Sequence, residues 1–151
     1  MTIIINFRKL PSHEVDQVML EEAIRLTLLN HNETDAELTL QLTDDGTVRR
    51  LNQGYRGINE TTDVLAFNQD FINPETNQTY LGDIIISLER ARLQAVDNNH
   101  TLNDETALLT IHGTLHLLGY DHSDEEEKER MWKIQDKILL DLKLSRQEDV
   151  E

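Results

Sequence analysis

The chain contains no cysteine. That removes disulfides, thiolate catalysis, cysteine-based zinc sites and iron–sulfur clusters from consideration. Proline occurs twice and glycine six times in 151 residues, too sparsely to build a linker, and no internal repeat or low-complexity block divides the sequence. One domain spanning residues 1–151 is expected, in the usual range of ~100–150 residues. Cations are scarce: 14 Lys and Arg stand against 29 Asp and Glu, a net charge of −15. A coat of that sign repels nucleic acid and anionic lipid at long range, which excludes a simple basic-patch binder but leaves room for a local cationic cleft. No apolar stretch approaches the ~20 residues of a spanning helix. The opening Met1-Thr2-Ile3-Ile4-Ile5-Asn6-Phe7 lacks the basic region, apolar length and cleavage site of a secretory leader. A soluble cytoplasmic protein with no membrane partner is the expectation.

Apolar residues at 38% of the chain still suffice for a core, since a globule of this size buries roughly 68–70% of its unfolded surface. Residues 3–7 are a β-branched and aromatic run, read as a strand. Pro11-Ser12 opens a helix with Ser12 as N-cap, and Val15, Met19, Ala23 and Leu26 carry its apolar face to about Asn30. Glu37 to Thr43 alternates, with Leu38, Leu40 and Leu42 on one face of a half-buried strand. A short helix with Val48, Leu51 and Tyr55 follows and ends at Gly57. Thr62 to Asn68 reads as a third strand, 69–80 as a loop, and Leu81 to Ser87 as a strand buried on both faces. Ser87 caps a helix to about Asn98, Asn103 one ending at Gly119, and Ser123 with Glu126 a final one carrying Met131, Ile134, Ile138 and Leu142. Arg146 to Glu151 reads as a frayed tail. The fold class is α/β (α+β): a mixed four-stranded sheet with about five helices packed on it.

Three of the six histidines fall within His112-Gly113-Thr114-Leu115-His116-Leu117-Leu118-Gly119-Tyr120-Asp121-His122. His112 and His116 project from one face of the helix, where imidazoles can converge on zinc at ~2.0–2.1 Å. Gly119 lets the chain reverse and bring His122 towards the same ion. Three ligands leave one position open, the catalytic rather than the structural arrangement. The pair alone reads better as ordinary partly buried histidines, because Leu108, Ile111, Leu115 and Leu118 run beside it; Gly119 and His122 at this spacing reverse the reading to a metal. The spacing also approaches that of metzincin proteases, but Gly113 stands where those place their general base. Copper or nickel suits three imidazoles too. His13, His31 and His100 read as surface or structural residues.

The segment 112–122 matches the signature H-G-x-L-H-L-x-G-x-D-H, and the chain resembles the YbeY family of bacterial zinc-dependent endoribonucleases. Leu51-Asn52, Tyr55-Arg56-Gly57, Thr62 to Phe67 and Leu81-Gly82-Asp83-Ile84 with Ser87 agree in the family's order. The resemblance implies a single-strand-specific metallo-endoribonuclease that matures ribosomal RNA, particularly the 3′ end of the small-subunit RNA, and takes part in ribosome quality control. It implies one Zn²⁺ held by His112, His116 and His122, and Arg56 as the cleft arginine. Single-stranded ribosomal RNA and the ribosome or its proteins are the implied partners, with no DNA. A guanidinium suits the charge that builds on phosphoryl oxygens during cleavage, although a surface arginine after a short helix is the plainer reading of Arg56. Asp121 reads either as a hydrogen-bond acceptor behind a ligand imidazole, as a proton acceptor, or as a turn residue. Asp63 and Asp83 line a cleft or cap loops; Arg49, Arg50, Arg90 and Arg92 form a basic rim or a solvated face. The acidic run 124–127 suits the start of the last helix. The alternatives are a metalloprotease-like zinc hydrolase and a ribosome-associated factor with a structural zinc.

Overall fold

The computed structural model describes residues 1–57, 62–121 and 124–148, the last three for backbone only. Four strands, β1 (Thr2–Phe7), β2 (Ala36–Thr43), β3 (Val64–Ile72) and β4 (Thr79–Ser87), form one sheet in the order β1-β2-β4-β3. β1 and β4 run parallel to β2, and β3 runs antiparallel to β4. Five α-helices accompany them: α1 (Gln17–Leu29), α2 (Asp45–Arg56), α3 (Leu88–Asp97), α4 (Leu102–Leu117) and α5 (Glu125–Glu148). The mixed four-stranded sheet and its helices are those expected.

The continuous apolar run of β4 has its reason in this arrangement. Ile84 and Ile86 join Leu38, Leu40 and Leu42 in the main core under the helices, whereas Ile85 packs with Val48 and Leu65 in a smaller cluster under α2. Both faces are therefore covered. β2 is also interior, so Glu37 and Thr43 are buried beside its leucines, and the strand is more deeply buried than its alternation suggests.

Helix α4 runs through the middle of the molecule, against α1, α3, α5, β3 and β4. Its threonines explain how it can be surrounded. Thr106, Thr110 and Thr114 are fully buried, and each hydroxyl donates to the carbonyl four residues earlier, on Leu102, Thr106 and Thr110. No partner outside the helix is needed. Gly113, on the same helix, lies so close to β4 that a Cβ there would stand 2.6 Å from Ile84 Cγ2.

Several boundaries differ from the sequence expectation. Ser12 opens a 3-10 turn, Ser12–Glu14, and α1 is capped instead by Asp16, whose Oδ1 accepts from the Met19 N–H at 3.1 Å. Thr101, not Asn103, caps α4; the Asn103 side-chain Oδ1 accepts from the Asp16 N–H at 2.9 Å and ties the two helix starts together. β3 continues to Ile72 and β4 begins at Thr79, which shortens the expected loop to 73–78. A bulge between Asn68 and Phe71, with Asp70 at φ 46°, interrupts the pairing that the residue pattern would reveal, and Phe71 then stacks on Tyr80. The backbone of α5 continues to Glu148, past the start of the expected frayed tail. Ser87 caps α3 and Gly57, at φ 71°, ends α2, both as expected. Ser123 lies outside the described residues; the Asp124 carboxylate accepts from the Glu127 N–H at 2.8 Å at the start of α5.

Candidate active site

His112 and His116 lie one turn apart on α4, half-buried, with their rings 4.6 Å apart. Their Nε2 atoms face each other at 3.0 Å. Two nitrogens bound tetrahedrally to one zinc ion at ~2.0–2.1 Å would stand about 3.3 Å apart. The observed 3.0 Å is the distance of a hydrogen bond between the two rings, so the nitrogens would part by about 0.3 Å to share an ion.

Behind the pair stands Gln135 of α5, 1% exposed. Its Oε1 accepts a short hydrogen bond from the Nδ1–H of His112. A proton held on Nδ1 leaves the Nε2 lone pair directed away from α5 and towards His116. This residue was not singled out from the sequence, yet it left a signal there. Met131, Gln135, Ile138 and Leu142 follow at spacings of four, three and four, and all are 1% exposed. A glutamine in the middle of a core stripe needs a buried partner.

The two histidines line a cleft of about 380 Å³ together with Arg56, Asp63, Asn68 and Asp121. Arg56 is the last residue of α2 and not the first beyond it. Its Nη2 donates to the Ala66 carbonyl at 3.2 Å, and its guanidinium lies 5.8 Å from the Phe67 ring centre. These contacts hold a cation against β3 at the cleft edge. Asn68, also not anticipated, donates to the Leu117 carbonyl at 3.1 Å and so fastens β3 to the end of α4. Gly119, at φ 103°, reverses the chain there; its N–H bonds to the His116 carbonyl and that of Tyr120 to the Leu115 carbonyl.

The remaining expectations divide. Asp121 is exposed on the cleft wall, while the Nδ1 of His112 is taken by Gln135. Asp63 lines the cleft and is also engaged by the Val64 N–H and by Gln94 at 3.1 Å. Asp83 stands elsewhere, on the sheet face beneath α2, where Tyr80 and Gln69 donate to it. Burial and the neighbouring Asp83 push the Tyr80 phenol up to about 12. Arg50 donates to Thr47, while Arg90 pairs with Asp45 and Arg92 with Glu14; none of these lines the cleft. His31 is structural, bridging the Thr27 carbonyl at 2.7 Å and the Tyr120 hydroxyl at 2.9 Å. His122 lies outside the described residues. Among the described residues no group of three His, Asp or Glu side chains is placed to hold a metal.

Fold and cleft together define an α+β protein whose sheet edge and central helix enclose two facing imidazoles and a guanidinium. A family model described as Endoribonuclease YbeY matches residues 5–143, and the chain belongs to the YbeY family. Relatives named Endoribonuclease YbeY occur in Desulfitobacterium hafniense, 41% identical over 85% of this chain and 86% of theirs, and in Heliobacterium modesticaldum, 42% identical over 87% and 86%. A third, from Roseiflexus, is 41% identical over 89% and 88%. The solution structure of a Thermotoga maritima protein superposes with a TM-score of 0.64 over 97% of this chain and 93% of that one; at 24% identity it speaks to the fold alone.

Proposed function

We propose that the protein is a zinc-dependent, single-strand-specific endoribonuclease of the cytoplasm that matures ribosomal RNA, notably the 3′ end of the small-subunit RNA, and serves ribosome quality control. Family membership supports RNA cleavage, because the relatives carry that activity in their names. The observation that carries the metal is the 3.0 Å approach of His112 Nε2 to His116 Nε2. The donor set fits: two imidazoles, one of them fixed in its tautomer by a buried amide, suit a borderline-soft divalent ion. His112 and His116 would hold it, with His122 as the third ligand. Bound there, zinc supplies Lewis acidity to a phosphodiester.

The chain's own residues supply the rest. Arg56 presents a planar fork of donors to the non-bridging phosphate oxygens, and stabilises them most when their charge is greatest. Asp121 would accept a proton from the attacking water; its exposed position on the cleft lining supports this, as does the engagement of Asp63 by Gln94 and Val64. Gly113 opposes peptide hydrolysis: the helix packs on Ile84 there, with no room for the glutamate a zinc protease uses. The ribosome or its proteins are the partners in this reading; DNA and membranes are not.

The test compares metal-loaded and metal-stripped protein on single-stranded RNA, on DNA of the same sequence and on unfolded protein. Loaded protein cuts the RNA alone. Cleavage of the polypeptide, or equal RNA cleavage by stripped protein, would overturn the proposal.

A further inference from the structure

Beyond the cleft, on the side of His112 facing α3 and α5, lies a second cavity of about 470 Å³. His112 and Asp63 line both spaces, so the two share a wall. Their linings differ. The cleft sets Arg56 beside Asp63 and Asp121; among the described residues the cavity has no arginine or lysine, and there Glu105, Asp136 and His100 stand with Leu108, Leu109 and Trp132. Its size falls within the ~300–1,000 Å³ of small-ligand sites.

We propose that this cavity is a nucleobase subsite, taking from the single strand a base with an exocyclic amino group while the adjoining phosphate lies in the cleft. The inference rests on the RNA-cleaving reading above and adds where a base goes and which kind is preferred.

Three observations carry it. Trp132 is the chain's sole tryptophan and is 47% exposed. An indole left so open beside a cavity is a stacking surface for a planar ring. Glu105 is 2% exposed; Asn98 hydrogen-bonds to its carboxyl, while Oε2 has no hydrogen-bond partner among the described residues and only His100 Nδ1 near it, at 3.4 Å. Burial pushes the Glu105 carboxyl up against the opposing effect of Asn98 and His100, and Oε2 has acceptor capacity to offer an N–H donor. Among the described residues no arginine or lysine lines the cavity, whereas Arg56 stands in the cleft, so the occupant is the uncharged part of a nucleotide and its phosphate is left to Arg56. A cation is the other occupant acids suggest, but among the described residues no carboxylate and histidine group is placed to hold one. Amino groups of cytosine, adenine and guanine present N–H donors; uracil has none outside its ring.

Metal-stripped full-length protein allows binding to be measured without cleavage. Short single-stranded oligocytidine and oligouridine are titrated while the fluorescence of Trp132 is followed, and affinities are measured in parallel by polarisation of labelled RNA. Oligocytidine should quench Trp132 and bind about fivefold tighter than oligouridine. Trp132→Leu should weaken oligocytidine binding by about tenfold, within the range for loss of one stacking partner, and Trp132→Phe should restore most of it. Glu105→Gln should narrow the difference between the two RNAs. Unchanged fluorescence, or wild-type affinity in Trp132→Leu, overturns the subsite. If that happens while metal-loaded protein still cuts RNA, the proposed function stands without it; if RNA is neither bound nor cut, both fall.

Discussion

One amide decides which nitrogen of His112 faces the cleft. Gln135 is buried on a different helix from the histidine it orients, and residues in that position typically account for 10–100-fold in metal affinity. Gln135→Leu keeps the volume and removes the acceptor. Competition with a chelator should show zinc binding weakened by roughly 10–100-fold, with the metal-free melting temperature little changed; equal affinity would mean that Gln135 is core filling. Arg56 acts at the other wall. Arg56→Ala should leave metal content and fold intact and lower kcat for RNA by much more than it weakens RNA binding, because the charge it meets is largest in the transition state. Arg56→Lys should restore only part of the rate, lacking the planar fork. Arg49→Ala, on the same helix but away from the cleft, should cut as wild type.

At the scale of helices and strands, what could be read in the sequence was what local chemistry decides. Ser87 and Gly57 were legible as a cap and a stop because a side chain or a left-handed residue does that work within a few positions. The facing histidines were legible because helical spacing alone puts them together. Ser12 misled because Asp16 competes for the same task four residues later, and Asn103 because its amide is used between helices. The far half of β3 was hidden by its bulge, where side chains lose their alternation. Gln135 and Asn68 depend on which elements meet, and no local pattern states that. The helix bearing Arg56 offers a test of a cap. The Asp44 carboxylate accepts from the Thr47 N–H at 2.8 Å, and hydrogen bonding to Thr47 holds its pKa below the ordinary 3.8. A depressed value adds stability above the ordinary pKa that is lost as pH falls through 3.8 and below. Asp44→Ala should therefore cost about 1 kcal/mol at neutral pH. In thermal melts the gap to wild type should narrow as the pH drops below the ordinary carboxylate range, and a constant gap would show that the cap's charge contributes nothing.

Over the whole molecule, a net charge of −15 surrounds a cleft with a single arginine. Each phosphate neutralised on a single strand steepens the salt dependence by ~0.7 in log–log slope, so RNA affinity should fall with salt at a slope no steeper than about −1. A slope several times larger would place RNA on a basic surface elsewhere. The strand order sets a further condition. β1 joins β2 and β2 joins β4 in parallel, and such pairs wait for a distant stretch of chain; among the sheet's pairings only β3 with β4 is a hairpin. During synthesis the chain emerges from its N-terminus, so β2 has an open edge until β4 has left the ribosome. The imidazoles come later still, and Gln135, which orients one of them, arrives on the last helix. A partly made copy thus carries Arg56 and an unfinished sheet long before it carries an aligned His112. His112 is therefore aligned only once α5 has been made, after every strand of the sheet and every other wall of the cleft.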